Sequence, residues 1–297
     1  MIGPLIKMRP DLYLGETFIG TKEKFMSDKV SLSAPIEQEV KQAQPGEVGY
    51  TPPTEAVPLP SRGLVYPIES PIHGAEVIEI RSMTARDEDI LTSRALLKQG
   101  KAIGTLLKSC ITNRGVDPEK MIIGDRNAVL IAIRITGYGR EYAVTVDCPV
   151  CGEKVKHEFD LADLPIKSLD VAPVERGQNA FRFALPVSKK EVIFKILTGE
   201  DEHEVAVTLD RAKKLGGAEA AVTTRLLASI ISVGRETDRA KLAQIVRNLP
   251  ARDSRDLRNY IDKISPGVEM VQKFSCSSCG EESEVDVPMG TEFFWPS

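Results

Sequence analysis

The sequence predicts an α+β fold: two internally duplicated strand–helices–zinc-knuckle units related by a pseudo-two-fold, preceded by an extended N-terminal arm. Three observations predict it. Four of the five cysteines fall in two Cys-x-x-Cys-Gly motifs, at 148–152 and 276–280. Each motif sits between short alternating stretches of strand character, YAVTVD and KVKHEFD around the first, MVQKFS and EESEVDV around the second. Upstream of both motifs, matching segments recur in the same order.

Residues 1–57 carry scattered Pro and Gly, the polar run EQEVKQAQPGEVGYTPPTE, and no sustained helical or strand period. They are read as an extended arm with a short helix near Ala34–Gln44, either disordered or ordered on a partner. The body then divides into a first repeat (58–170), a second repeat (171–290) and an aromatic C-terminal peptide (291–297).

Each repeat opens with a strand feeding a capped helix. EVIEIRSMTARDE from Glu76 parallels EVIFKILTGEDE from Glu191. Thr84 and Thr198 are N-cap residues, with Asp87 and Asp201 three positions on. Glu88 and Glu202 then complement the positive end of each helix. Next, LLKSCIT from Leu106 matches LLASIIS from Leu226, with apolar residues at 106, 107, 110 and 111 against 226, 227, 230 and 231. Cys110 falls where Ile230 falls, which assigns it a packing role, since an unmodified cysteine packs as a small hydrophobe.

A third match joins GDRNAVLIAIRITGYG (124–139) to ARDSRDLRNYIDKISPG (251–267): an acidic cap, a helix, then a glycine stop. Asp125 precedes Cys148 by 23 residues, and Asp253 precedes Cys276 by the same 23. The second copy holds extra helical residues around DRAKKLGGAEAA.

Two cysteines cannot complete a tetrahedral metal site, whereas two pairs supply four thiolates, the donor set of a closed structural zinc centre. Thiolates exclude metals that favour hard oxygen ligands. Cys148, Cys151, Cys276 and Cys279 are therefore the candidate zinc ligands, with Gly152 and Gly280 providing the tight turn after each second ligand. Within one chain the zinc would staple the two repeats; a site shared between chains uses the same ligands. Neither pair opens a helix in a βαβ context, which argues against a redox dithiol.

Composition narrows the function classes. A hydrophobic fraction of 42% with 28% charged residues describes a soluble globular chain. The absence of a long apolar run argues against a membrane span. The N-terminus lacks the charged-then-apolar order of a secretory signal, pointing to assembly in a cytoplasm. A net charge of −4 and the acidic GEESEVD after the second knuckle argue against nucleic acid, although a zinc-ribbon nucleic-acid binder is the rival reading. The three histidines, His73, His157 and His203, form no metalloprotease spacing, and no phosphate loop or nucleophile elbow is present, so the reading is non-enzymatic with no catalytic residues.

The segment LPSRGLVY (59–66), followed by EVIEIRSMTARDEDIL, resembles the opening of the T-even-type bacteriophage baseplate protein family, the hub subunits of contractile tails. LTGEDE, LRNYIDKISPGVE, Cys-x-x-Cys-Gly and the terminal FFWP resemble longer zinc-knuckle relatives of that family. The likeness spans 58–297. It implies a structural component of a contractile-tail baseplate, in the hub or wedge region of the virion and assembled in the host bacterial cytoplasm. Its partners would be neighbouring baseplate, hub and tail proteins, with room for a homo-oligomer; a non-virion assembly factor is the alternative. The tail residues Phe293, Phe294, Trp295 and Pro296 either pack on the chain's own core or anchor in a neighbour's groove.

Overall fold

The architecture is that of a computed structural model, which describes residues 52–215, 220–289 and 291–294. It is mixed α+β, with small sheets rather than one large one.

The first strand, β1 (Thr54–Pro58), pairs antiparallel with β2 (Val77–Arg81), burying Val57, Ile78 and Ile80. Residues 54–57, read from the sequence as the end of the arm, thus belong to the folded body. The helix expected near Ala34–Gln44 lies outside the described residues. Thr84 caps α1 (Ala85–Thr92) as expected: the Asp87 carboxylate accepts from both the Thr84 amide and its hydroxyl at 2.8 Å. Short α2 (Arg94–Lys98) leads to α3 (Ala102–Cys110), whose Leu106, Leu107 and Cys110 face the core. Burial pushes the Cys110 thiol up to about 12, with the nearby Asp87 charge adding to the effect, so it stays a neutral packing group.

The central element is α4 (Ile123–Tyr138). Residues Ala128–Arg134 are all buried, a continuous run that a surface helix would break every second or third position. It delivers the chain into the hairpin of β3 (Glu141–Asp147) and β4 (Lys154–Asp160), followed by two-residue β5 (Ile166–Lys167).

The second half repeats much of this order. β6 (Phe181–Ala184) pairs antiparallel with β7 (Glu191–Phe194), and Thr198 caps α5 (Gly199–Lys214) through Asp201. Each capping aspartate also holds a cation from the end of the strand before it or the residue just past it, Arg81 on Asp87 and Lys195 on Asp201. Then come α6 (Ala221–Ser229) and β8 (Ile230–Val233), which adds to β7. Ile230 and Ile231, expected on a helical stripe, are therefore strand residues: the sheet edge of β7 offers hydrogen bonds that end the helix at Ser229. The first half shows a trace of the same pairing, a single bridge between Ile80 and Ile111 just after α3. Last come α7 (Arg239–Arg247), α8 (Ala251–Ile264), β9 (Gly267–Val268), which pairs with β5, and the hairpin of β10 (Val271–Ser275) and β11 (Glu282–Asp286).

Two buried aspartates tie the start of each half to the helix that leads to its hairpin. Asp125 and Asp253 were expected as acidic caps. Instead α4 and α8 start from Ile122 and Pro250 without side-chain caps, and each carboxylate turns inward. Asp125 accepts from the Ser61 amide at 2.8 Å, the Ser61 hydroxyl at 2.5 Å and the Tyr66 hydroxyl at 2.6 Å. Asp253 accepts from the amides of Val187 at 2.7 Å and Ser188 at 3.0 Å. The turns they grip follow β1 and β6 and begin alike, Leu59-Pro60 and Leu185-Pro186, with both leucines buried. Each also holds a non-glycine residue in the left-handed region, Arg62 at φ 51° and Lys189 at φ 56°. In the first turn Gly63 follows at φ 66°, where a Cβ would lie 2.4 Å from the Ala75 nitrogen and the Ile72 oxygen. Only glycine fits there.

Candidate metal centre

The tips of the two hairpins meet. All four sulfurs of Cys148, Cys151, Cys276 and Cys279 lie within 4.8 Å of one another. The close pairs cross between hairpins, Cys148 with Cys279 at 3.9 Å and Cys151 with Cys276 at 3.8 Å. Metal–sulfur bonds of about 2.3 Å in tetrahedral geometry put sulfurs about 3.8 Å apart, so the cluster fits one thiophilic ion.

The two knuckles share their backbone geometry. In the first, the Cys148 amide donates to Glu153 O at 2.9 Å and the Gly152 amide to Cys148 O at 2.9 Å. In the second, the Cys276 amide donates to Glu281 O at 3.0 Å and the Gly280 amide to Cys276 O at 2.8 Å. Gly152 and Gly280 have φ of 75° and 76°, so each loop closes in a conformation that favours glycine. The first cysteine of each pair is buried and the second exposed.

Electrostatics explains why such a cluster calls for a cation. The Cys151 amide, then that of Val150, points at the Cys148 sulfur and lowers that thiol to about 7 against desolvation. Cys151 has the Glu153 amide favouring its thiolate, yet desolvation and three neighbouring sulfurs push it up to about 12. Cys279 is raised too, because desolvation and the Cys276 sulfur outweigh the amide of Glu281. Several thiolates at these distances repel one another, and a divalent cation at their centre removes that penalty.

Contacts behind the knuckles hold the hairpins together. The His157 ring packs edge-on against Phe274 of the other hairpin, with centroids 5.2 Å apart, and against Phe159 at 4.6 Å. His157 is thus an aromatic wedge, and the sulfur cluster consists of the four cysteines. The Tyr142 hydroxyl donates to Pro288 O at 2.8 Å, just after β11.

The C-terminal peptide continues this clasp. Residues Thr291–Phe294 form a 3-10 turn against α4, burying Phe293 and Phe294. The Phe293 ring meets Tyr142 edge-on at 5.2 Å. Its carbonyl accepts from Arg134 Nε at 2.6 Å. Arg134 is only 1% exposed, and its other nitrogens donate to Gly139 O at 2.8 Å and Glu141 O at 3.2 Å. Burial lowers its pKa, and three carbonyl dipoles with the Tyr138 ring beside it take the place of a carboxylate. Of the two sequence readings for the tail, own core or neighbour's groove, Phe293 and Phe294 take the first in this chain. Trp295 and Pro296 lie outside the described residues.

Arg134 was missed from the sequence, although its signal is legible: a single cation inside the apolar helix run AVLIAIRI. The Ser61–Tyr66–Asp125 cluster had weaker signals, because nothing local links residues 64 and 59 positions apart.

A model of the family described as T4 bacteriophage base plate protein matches residues 65–295. The chain belongs to this family. The match runs from just after LPSRG, through both knuckles, to Trp295. Comparison with curated proteins and with solved structures gives no significant match. Membership makes the chain a phage base plate protein, a structural component placed with the other proteins of the virion tail, and speaks for a non-enzymatic role. Among the described residues, no helix of this base plate protein is long and apolar enough to cross a membrane.

Proposed function

We propose that this base plate protein is a zinc-stapled structural element of the hub or wedge region of a contractile-tail baseplate. The observation that carries the reading is the four-sulfur cluster, with cross-hairpin distances of 3.8 and 3.9 Å, in a chain of this family. Zinc is the ion best suited to four thiolates in a closed site; it would supply folding energy rather than chemistry, since no ligand position stays open. Cys148, Cys151, Cys276 and Cys279 would hold it, each pair contributed by one half.

The halves are proposed to be duplicated units, 58–170 and 171–290, related by a pseudo-two-fold with the metal at their meeting point. The shared strand–cap–helix order, the paired aspartate-gripped turns and the paired knuckles support this. The part of the arm that precedes β1 and the C-terminal peptide are proposed to reach neighbouring baseplate proteins. Phe293 and Phe294 would fix the peptide's exit so that Trp295 and Pro296 are presented to a partner. Nucleic acid and membrane have no place in this reading, and no catalytic residue is assigned.

Metal analysis of the purified full-length protein tests the staple: about one zinc per chain is expected from four thiolates. Two zincs, none, or a metal bridging two chains would overturn it. Cryo-EM of intact particles tests the location. A protein absent from particles yet required to build them would be an assembly factor instead.

A further inference from the structure

We propose that copies of this base plate protein associate head to tail, the acidic outer row of β11 in one copy seating in a lysine-lined cleft of the next. The inference rests on the structural reading above.

The cleft has a volume of about 370 Å³ and lies between α3, the 3-10 turn Pro118–Lys120 and the first turn of α5. Lys101, Lys108 and Lys120 line it, all exposed, and none forms an ion pair among the described residues. Two of its carboxylates are already engaged: Asp117 accepts from the Glu119 amide, and Glu119 pairs with Arg126. With Glu119 neutralised by Arg126, that leaves three cations against two carboxylates, Asp117 and Glu200, the latter at the α5 N-terminus. The surrounding stretch from Arg94 to Lys120 carries six cations and two anions, so its field extends past the cleft.

The acidic partner surface lies outside the cleft, on the second hairpin. Glu282, Glu284 and Asp286 alternate along β11 and share its exposed face; none has an ion-pair partner among the described residues. With about 3.3 Å rise per residue the row spans about 13 Å, a length that one cleft and its rim can meet.

Within one chain the two surfaces stay apart: no residue of β11 lines the cleft, and no ion pair joins them among the described residues. Opposite unpaired charges on separate surfaces of one chain are complementary between copies. The contact is heterologous, so it builds a ring if the rotation closes and an open row if it does not. Like-charge contacts, cleft to cleft or β11 to β11, are repelled, which sets the polarity.

Sedimentation velocity on the full-length protein tests this. Association is expected at ~0.05 M salt and is expected to weaken by about tenfold or more at ~0.5 M, as screening of exposed charges requires. The Lys101→Glu/Lys108→Glu/Lys120→Glu variant and the Glu282→Lys/Glu284→Lys/Asp286→Lys variant should each be monomeric alone and associate when mixed. Circular dichroism and metal content identify a variant that has lost its fold; Lys→Gln and acid→amide versions at the same positions then replace it, and each should weaken association. A wild-type protein that stays monomeric at low salt overturns the proposal, as does association indifferent to salt. So does self-association of either reversed variant, or failure of the mixture. A monomer whose lysine cleft instead binds duplex DNA would also overturn it. The particle map tests the structural reading separately, so either can fail without the other.

Discussion

The turns after β1 and β6 occupy matching places, yet their aspartates live in opposite electrostatic conditions. Asp253 meets two backbone amides, which more than offset the cost of burial and hold its carboxyl below the usual range. Asp125 is enclosed, and burial outweighs the hydrogen bonds from Ser61 and Tyr66, so its carboxyl is raised. The enclosed carboxylate also raises the Tyr66 hydroxyl, after burial itself. At Asp253 a fixed amide on each oxygen leaves no acceptor for an acid proton and favours the charged form. At Asp125, by contrast, the Ser61 amide holds one oxygen and two hydroxyls meet the other. Hydroxyls rotate and can accept as well as donate, so they serve either form. Similar turns thus place their aspartates in two different proton environments.

The comparison can be broken first at the metal, where the halves should be equal. Cys148→Ser and Cys276→Ser are each expected to remove the ion and cost on the order of 5 kcal/mol of metal-dependent stability, read as matching losses in chelator-titrated thermal melts. Unequal losses would mean that one half holds the metal alone. The clasp of the tail is the asymmetric feature. Phe293→Ala should cost about 3–5 kcal/mol in denaturant unfolding, as for a fully buried aromatic ring, and should expose the Arg134 site.

The turns themselves come next. Asp253→Asn places an NH₂ group against a fixed N–H and should cost about 1–3 kcal/mol at neutral pH, measured by urea unfolding. Asp125→Asn should cost less, because Ser61 and Tyr66 hydroxyls can turn to accept. Equal costs would contradict the distinction drawn between amides and hydroxyls.

The smallest effect is the slope with pH, and the two aspartates should differ in its sign. The depressed Asp253 contributes stability that is present above the unfolded carboxyl value, about 3.9, and is lost as pH falls through its folded value. The raised Asp125 contributes stability that is full below about 3.9 and is lost as pH rises through its folded value. Relative to wild type, Asp125→Asn should therefore gain ground from about pH 4 upward, and Asp253→Asn should lose it as pH rises from strong acid towards about 4. Unfolding curves across this window measure both slopes.

Much of the candidate site was legible in the sequence. The four cysteines and the two glycines that follow them mark a candidate thiolate site through residue type and spacing, and the matching segments upstream paired one motif with the other. The capping boxes at Thr84 and Thr198 were legible because their partners lie three residues away. The same local logic misassigned Asp125 and Asp253, since an acidic residue near a helix start looks like a cap whatever it touches. It also carried the helical stripe through Ile230, where a strand edge competes for the backbone.

The sequence by itself thus determined which four cysteines gather, the helix starts at Thr84 and Thr198, and the family, all properties of residue identity and near neighbours. Tertiary structure alone decided which sulfurs stand closest, that Asp125 reaches back 64 residues to Ser61, and that Arg134 closes on Phe293 159 residues away. Such contacts form only once α4 is buried, because a carboxylate or guanidinium excluded from water takes the donors or carbonyls that packing brings within reach. Those partners are set by the packed core, and no local spacing in the chain encodes them.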